Sequence, residues 1–283
     1  YTIVEFIGMQ IMCICHDISV NDKYPWIQKS FLIIKCIKQI KNWQIPVLSY
    51  LGIINSLKIV ILKNNTKCII RNKNDTIAFL ENFILEANTS HEIFKIMEKD
   101  TVVDIGAHVG YFTLYAANLA KKGKIISYEP SKKSFLILEK NIKINNFSNI
   151  KLENVAISKT HGKALLHTDD HDEISNSLYN LNKKSKVYEV ETNTLEEIFL
   201  KNKLDSIDFL KIDCEGAEYE ILMNASSLDL DKIKKMSIEI HEKLVPYSKE
   251  AIIEKLVKHG FNVKLETDIS GIRMELPLLL AWK

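Results

Sequence analysis

The sequence contains few of the residues on which nucleic-acid-binding proteins depend. It has two arginines, Arg71 and Arg273, in 283 residues. Its 38 basic residues are balanced by 36 acidic ones, so the formal net charge is only +2. Binding to nucleic acids relies on clustered positive charge, and arginine provides forked hydrogen bonds to phosphates. We therefore expect no nucleic-acid partner.

Cysteine is also sparse, and its spacing shows no pairs. The five cysteines are odd in number and lack a C-x-x-C pair, which argues against a disulfide framework and against a zinc site. Residues 1–20 do not have the pattern of a secretory signal, because Glu5 interrupts the apolar run. We therefore expect a cytoplasmic protein with reduced thiols.

Long runs of purely apolar residues are missing too. Residues 45–62 are about as long as a membrane-spanning helix, but Gly52, Asn55 and Lys58 make this segment a poor one. Residues 26–43 interleave lysines with isoleucines at a spacing that gives a helix one apolar and one basic face. Such a helix could lie on a membrane surface, or it could pack on the domain or on a second copy of the chain. We expect no transmembrane segment, and peripheral membrane contact through 26–43 stays open.

What the sequence does contain is a regular alternation from residue 66 onward, in which short β-branched runs are followed by segments of helical periodicity. This alternation is typical of parallel strands joined by right-handed crossovers. The last two strands are close enough in sequence to form a hairpin. We expect residues 66–283 to form a doubly wound α/β domain with a mostly parallel, seven-stranded sheet and one antiparallel strand near the C-terminus. Residues 1–65 are expected to form a mainly helical N-terminal extension.

The segment VVDIGAHVGYF ends the first strand of this alternation with Asp104 and continues into a loop bounded by Gly106 and Gly110. In doubly wound sheets, ligands bind outside the carboxyl ends of the strands. A dinucleotide fingerprint requires G-x-G-x-x-G for a pyrophosphate, but the spacing here is G-x-x-x-G. Glu129 ends the next strand, where a carboxylate can accept hydrogen bonds from both hydroxyls of a ribose. A ribose without a pyrophosphate is what S-adenosylmethionine presents.

These motifs together resemble the FkbM family of class I S-adenosylmethionine-dependent methyltransferases. The resemblance runs from about Arg71 to the C-terminus, and His108 departs from the asparagine that is more usual at its position. It implies a Rossmann-like methyltransferase domain, S-adenosylmethionine as the cofactor, and methyl transfer to a hydroxyl of a sugar, a glycan or a secondary metabolite. The similar segments are VVDIGAHVGYFTLYAA, IISYEP, ENVAIS, DFLKIDCEGAEYEIL and SIEIHE.

We expect the donor to be bound by residues at the carboxyl ends of the first, second, third and fourth strands of the alternation. These residues are Asp104, Gly106, His108, Gly110, Tyr111, Glu129, Asn154, Ala156 and Asp213.

The expected catalytic residues are Asp213, His241 and Glu215. A strand period of two places Lys211, Asp213 and Glu215 on one side of their strand, and it places Glu239 and His241 on one side of the next. Methyl transfer to oxygen requires a group that takes the hydroxyl proton. We expect His241 to titrate near neutrality and to be this base, with Asp213 as the competing candidate. We expect Lys211 and Glu239 to form an ion pair inside the sheet.

We expect no metal ion, although two alternatives are open. Asp213, Glu215, Glu239 and His241 offer carboxylate and imidazole ligands, and the segment HTDDHDE at 167–173 is a second candidate.

The function also has alternatives, namely a nicotinamide-dependent oxidoreductase and a non-catalytic Rossmann-like binding protein. The expected partner is a small-molecule or glycan acceptor, chosen by residues 169–186 and by the N-terminal region. The sequence does not indicate an oligomeric state.

Overall fold

The described part of the chain forms two compact units, which divide after Leu80. The predicted domain boundary at residue 65 stays a prediction. Side chains are described from residue 32 onward, except within 268–276. The backbone that the computed structural model describes comprises residues 25–168, 177–178, 186–242, 248–269 and 272–283.

The first unit combines helices with a two-stranded antiparallel sheet. Asn65 adopts a left-handed conformation in the turn between the two strands, a conformation that asparagine tolerates better than most residues. Among the described residues, no helix is both long enough and apolar enough to span a bilayer. The elements are α1 (Pro25–Gln39), α2 (Gln44–Tyr50), β1 (Lys58–Ile61), β2 (Lys67–Ile70) and α3 (Lys73–Phe83), which continues into the second unit.

The second unit carries the alternation of strands and helices that the sequence predicts. It contains β3 (Thr101–Ile105), α4 (Tyr111–Leu119), β4 (Lys124–Tyr128), α5 (Lys132–Lys143), β5 (Ile150–Glu153), β6 (Ala156–Ile157), β7 (Gly162–Thr168), β8 (Lys186–Asn193), α6 (Leu195–Asn202), β9 (Phe209–Ile212), α7 (Ala217–Asn224), α8 (Ser227–Asp231), β10 (Lys235–Glu239), α9 (Lys249–Lys258), β11 (Asn262–Ile269) and β12 (Ile272–Trp282).

Within the described residues, seven strands form the main sheet in the order β11-β12-β10-β9-β3-β4-β5. Strands β5, β4, β3, β9 and β10 run parallel to one another. Strand β12 pairs antiparallel with β10. The order reverses beside β3, which is the kind of position where ligands bind in doubly wound sheets. The expected fold class, a mostly parallel seven-stranded Rossmann-like sheet with an antiparallel strand near the C-terminus, is confirmed.

Both faces of the main sheet are covered by apolar residues. Val103 and Ile105 of β3 belong to a core that includes residues of α6, α7 and α9. Val102 belongs to a separate core that includes Phe112 of α4. Successive strand residues point to opposite faces, so a strand covered on both faces is apolar almost throughout. This arrangement makes any polar residue inside the sheet conspicuous.

A second sheet of the described residues has the order β6-β8-β7. Strand β8 pairs in parallel with β6 and antiparallel with β7. Most of β8 is exposed, and its residues alternate between apolar and charged without a buried face over most of the strand, so it lacks the buried apolar pattern that would have identified it. The polar segment at 169–186, which we expected to choose the acceptor, lies mostly outside the described residues.

Candidate functional site

A row of polar residues crosses the buried part of the main sheet, one from each of four adjacent strands. Asp104 of β3 lies beside Ser127 of β4 on one side and beside Lys211 of β9 on the other. Ser237 of β10 lies beside Lys211. Register in a parallel sheet fixes these neighbours, because equivalent residues of adjacent strands face the same side. The row supports the loops that follow the carboxyl ends of β3, β4, β9 and β10.

Asp104 has no exposed surface, and its contacts are internal. Thr113 of α4 donates a hydrogen bond to Asp104 Oδ2 at 2.6 Å, and the Thr113 hydroxyl lies 2.9 Å from that of Ser127. Burial raises the pKa of Asp104, although Lys211 and Thr113 act in the opposite direction. Asp104 therefore ties α4 to the sheet and positions the loop that it precedes.

The loop after β3 passes very close to the loop after β9. A Cβ on Gly106 would lie 1.7 Å from the carbonyl oxygen of Asp213, and Gly106 has φ +79°. At Gly110, with φ +90°, a Cβ would lie 2.2 Å from Leu138 of α5. His108 also has a positive φ, of 52°. Both glycines are thus required by the packing of the chain itself, and the sharp loop places His108 near the end of β4.

Glu129 lies directly after β4 and is 5% exposed. Its Oε2 accepts a hydrogen bond from the backbone N–H of His108 at 2.7 Å, and its Oε1 accepts one from Ser131 at 2.8 Å. Burial raises the pKa of Glu129 to about 7, while these two hydrogen bonds lower it. Each carboxylate oxygen has two lone pairs, so each oxygen can accept one further hydrogen bond.

Three other residues are predicted to bind the methyl donor. The side-chain amide of Asn154 donates to the carbonyl oxygens of Glu129 and Pro130, at 2.8 and 3.0 Å. Tyr111 is buried at the first position of α4. Ala156 is buried in β6. Asn154 therefore shapes the segment that carries Glu129, and the expectation that these three residues contact the donor stays a prediction.

Lys211 pairs with partners other than the one we expected. Its Nζ lies 3.5 Å from Asp104 Oδ1 and 3.1 Å from Asp213 Oδ2. The expected ion pair with Glu239 does not form, because the register places Ser237 beside Lys211 and leaves Glu239 two residues further along. The side chain is 8% exposed, and the negative charges of Asp213 and Asp104 raise its pKa against the opposing effect of burial.

The surroundings of His241 favour its protonated form at neutral pH, whereas we expected it to titrate there. Its Nδ1 lies 2.8 Å from Glu218 Oε1, which also accepts a hydrogen bond from the His241 backbone N–H at 2.9 Å. Burial lowers the pKa of His241, but the hydrogen bond and charge of Glu218 and the charges of Asp213 and Glu215 raise it to about 10. An imidazolium cannot accept a hydroxyl proton, which favours Asp213 as the base.

Asp213, Glu239 and His241 meet at the carboxyl ends of β9 and β10. One ligand atom from each lies within 4.8 Å of the others. His241 Nε2 lies 3.6 Å from Glu215 Oε2 and 3.9 Å from Glu239 Oε1. Lys211 and His241 lower the pKa of Asp213 against the effect of burial. Burial and the neighbouring charge of Asp213 raise the pKa of Glu239. The five ionisable groups predicted to meet here, Lys211 included, therefore lie in one region.

Three residues that were not predicted from the sequence complete the polar row and its link to α4, namely Thr113, Ser127 and Ser237. A signal for the two serines was present, since IISY and MSI each carry one serine among residues of a strand core. Glu218 is the residue that fixes the ring of His241, and its Oε2 also accepts a hydrogen bond from the Gly216 N–H at 2.8 Å. Its position in the first turn of α7 indicates the contact with the start of the helix but not the contact with His241.

The chain is similar to several known proteins. It is 22% identical over 239 residues to the AMB antimetabolite synthetase AmbE of Pseudomonas aeruginosa, covering 70% of this chain but only 11% of that synthetase. It is 25% identical over 205 residues to Methyltransferase sdnD of Sordaria araneosa, covering 61% of this chain and 78% of that protein. A crystal structure of Methyltransferase FkbM from Methylobacillus flagellatus has a TM-score of 0.46 and 16% identity, over 66% of this chain and 44% of that one.

The family model of the methyltransferase FkbM domain matches residues 104–263, which is more than half of the chain. The matched segment begins at Asp104 and includes both glycines of the first loop, Glu129, Asp213 and His241. The chain therefore belongs to the FkbM methyltransferase family, which confirms the predicted methyltransferase with S-adenosylmethionine as its cofactor.

Proposed function

We propose that the protein transfers the methyl group of S-adenosylmethionine to a hydroxyl oxygen of a small-molecule acceptor, which is a sugar, a glycan or a secondary metabolite. Family membership supports the methyl transfer. What we propose beyond the family is that the methyl group goes to an oxygen atom and that the acceptor belongs to one of these chemical classes.

The observation that carries the proposal is the environment of Glu129. Its carboxylate is buried, is held at both oxygens by backbone N–H groups and keeps one acceptor position on each oxygen. Two adjacent acceptors of this kind match the two neighbouring hydroxyls of a ribose. Glu129 would therefore hold the ribose of S-adenosylmethionine, and the loop that contains His108 would lie beside it.

The backbone of the first loop argues against a nicotinamide dinucleotide. The N–H groups of Gly106 and Ala107 both donate to the carbonyl oxygen of Tyr128 at 3.0 Å, and the N–H of His108 donates to Glu129. A pyrophosphate needs free N–H groups at this turn. Three consecutive groups are already engaged, so the loop suits a ligand without phosphates.

Charged side chains at the end of the neighbouring strand β9 would assist the methyl transfer. When bound, S-adenosylmethionine supplies a methyl group that is activated by its positive sulfonium. Asp213 is partly exposed, and its lowered pKa keeps it ionised at neutral pH. It would accept the proton of the acceptor hydroxyl, while Lys211 holds its carboxylate in place at 3.1 Å. Glu215 lies next to this position and would contact the acceptor.

We also propose that the protein acts in the cytoplasm. Among the described residues, Cys36, Cys68 and Cys214 are free thiols. Reduced thiols of this kind are usual in that compartment. Peripheral membrane contact through 26–43 stays a prediction, which vesicle sedimentation of the full chain would test.

The test is a calorimetric titration of the full chain with S-adenosylmethionine, repeated on Glu129→Ala and with NAD as the control ligand. We expect micromolar binding of S-adenosylmethionine by the parent, much weaker binding by Glu129→Ala, and no binding of NAD. An acceptor screen would then follow S-adenosylhomocysteine formation with hydroxyl-bearing compounds. A folded protein that fails to bind S-adenosylmethionine would contradict the proposal and favour a non-catalytic binding protein.

A further inference from the structure

His241 presents a ring nitrogen to the cluster of acids without a hydrogen bond to it. The side chain is 4% exposed, and Nε2 has no hydrogen-bond partner among the described residues. The carboxylate oxygens near it, Glu215 Oε2 at 3.6 Å and Glu239 Oε1 at 3.9 Å, are too distant for a hydrogen bond. A buried polar atom normally has a partner, so this one indicates a missing ligand.

The distances within the cluster match those between the ligands of one metal ion. The ligand atoms of Asp213, Glu239 and His241 all lie within 4.8 Å of one another. Carboxylate oxygens and imidazole nitrogens bind divalent transition ions at about 2.0–2.2 Å, so ligands of the same ion lie about 3–4.4 Å apart. An ion between the three groups would therefore need only small side-chain movements.

The other nitrogen of His241 is held as it is in metal-binding histidines. Nδ1 lies 2.8 Å from Oε1 of Glu218, a carboxylate without exposed surface. Histidines that bind metals almost always donate their second ring N–H to a carboxylate, a carbonyl or water, which fixes the ring and directs the remaining nitrogen at the metal. The Glu218 contact thus orients Nε2 toward Asp213 and Glu239.

The charge of the cluster also favours a cation. Asp213, Glu215, Glu218 and Glu239 contribute four carboxylates to a region in which Lys211 and His241 supply positive charge, and His108 also acts electrostatically on Asp213. Lys211 engages one oxygen of Asp213, and the carboxylate keeps acceptor positions for a further ligand. Gathering carboxylates in a partly buried position carries a cost that a cation would reduce.

We propose that Asp213, Glu239 and His241 bind one divalent cation, with Glu218 as the residue that positions His241. The ion would displace the proton of His241 Nε2 to solvent, because a histidine binds a metal in its neutral form. Two carboxylates with one imidazole suit a first-row ion such as Mn²⁺, which accepts both oxygen and nitrogen ligands. The three side chains would occupy part of the coordination shell of such an ion, and the acceptor hydroxyl would complete it. Its proton would pass to an acceptor position of the Asp213 carboxylate that neither Lys211 nor the ion engages. This role in catalysis rests on the proposed function, whereas the binding of the ion does not.

The test measures Mn²⁺ binding by the chelator-treated full chain from the loss of the electron paramagnetic resonance signal of free Mn²⁺. We expect one ion per chain, and pulsed measurements should detect coupling to an imidazole ¹⁴N. Glu239→Gln keeps the size of the side chain, removes one ligand and should weaken Mn²⁺ binding by at least about tenfold. Glu254→Gln, on the exposed face of α9, is the matched control and should bind as the parent does.

The same preparations should be titrated with S-adenosylmethionine, so that failure of the ion site and failure of the proposed function can be told apart. We expect Glu239→Gln to bind S-adenosylmethionine as the parent does and to unfold cooperatively on heating, which shows that the variant is folded. No Mn²⁺ binding by a protein that binds S-adenosylmethionine would overturn the ion site and leave the proposed function standing. Mn²⁺ binding that persists at full strength in Glu239→Gln, or that lacks ¹⁴N coupling, would also overturn it.

Discussion

The two halves of the site differ in how the side chains that would face a ligand are held, although each half contains one buried side-chain atom without a hydrogen bond among the described residues, Asp104 Oδ1 and His241 Nε2. In the donor half, at the ends of β3 and β4, the Glu129 carboxylate is held by backbone N–H groups at both oxygens. In the acceptor half, at the ends of β9 and β10, Nε2 of His241 lies among carboxylates without a hydrogen bond in the described part of the chain. Lys211 connects the halves through Asp104 and Asp213.

This difference indicates that the two halves become ready for their ligands in different ways. The donor half is preorganised by the chain itself, so the cofactor needs to add only its own hydrogen bonds. The acceptor half gathers charge that the chain leaves partly uncompensated, and the proposed cation would bring its side chains to their working geometry. A single sheet edge would thus combine a site that the chain preorganises with one that a further ligand completes.

Removing Lys211, which connects the two halves, should have the largest effect on stability. We expect Lys211→Met to lower the free energy of unfolding by about 3 kcal/mol, because it leaves the buried Asp104 carboxylate without its cation. Urea denaturation measures the change. The double variant Lys211→Met with Asp104→Asn removes the unpaired charge and should recover more than half of the loss. A neutral single variant would show that the halves do not depend on this lysine.

Removing the key carboxylate of the donor half should weaken binding strongly. We expect Glu129→Ala to raise the Kd for S-adenosylmethionine by at least about 100-fold, since two hydrogen bonds to a charged acceptor contribute about 1.5 kcal/mol each or more. Isothermal calorimetry measures this. Glu139→Ala, at an exposed position of α5, is the control and should bind as the parent does. Equal binding by both variants would refute the assignment of Glu129.

The pH dependence of binding tests the donor half without a change of structure. The pKa of Glu129 is raised from 4.5 to about 7, and only the ionised form offers the full set of acceptors. Affinity for S-adenosylmethionine should therefore be about tenfold lower at pH 6 than at pH 8. Glu129→Gln should remove this dependence. A parent protein with a flat profile would contradict the raised pKa.

The raised pKa of Glu129 also makes the stability of the folded protein depend on pH. The folded state of the ligand-free protein binds a proton at Glu129 between pH 4.5 and about 7, where the unfolded chain has released it. The contribution of Glu129 to stability is therefore fully present below pH 4.5 and is lost as the pH rises through about 7. Comparing Glu129→Gln with the parent in thermal unfolding at several pH values isolates this contribution.

The smallest predicted effect lies away from both halves. Thr194 and Glu197 form a reciprocal capping pair at the start of α6, with hydrogen bonds of 3.3 and 3.0 Å. We expect Thr194→Ala to lower the free energy of unfolding by about 1 kcal/mol and to leave S-adenosylmethionine binding unchanged. Loss of affinity in this variant would mean that the donor half depends on global stability rather than on its local hydrogen bonds.

Much of the donor half could be predicted because its chemistry is local in sequence. Asp104, Gly106 and Gly110 stand in one short segment, and Glu129 directly follows the next apolar strand. Parallel strands place their carboxyl ends at one edge, so the convergence of these residues follows from the alternation of elements. The seven-stranded sheet could be predicted for the same reason.

The acceptor half could be predicted only in part because its contacts depend on register. The strand period indicates that Lys211 and Asp213 share a side, but it does not say that Asp104 of another strand is the partner of Lys211. The protonation of His241 depends on Glu218, which approaches from a helix. Strand β8 could not be recognised, since its mostly exposed residues lack a buried face over most of its length.

The most direct test of the contrast between the halves is a titration with S-adenosylmethionine in two buffers, one with a chelator and one with Mn²⁺. A donor half that is complete without an ion predicts micromolar binding with the same Kd in both buffers, and weak binding by Glu129→Ala in both. A folded protein that binds S-adenosylmethionine only with Mn²⁺, or whose affinity does not depend on Glu129, would contradict this account.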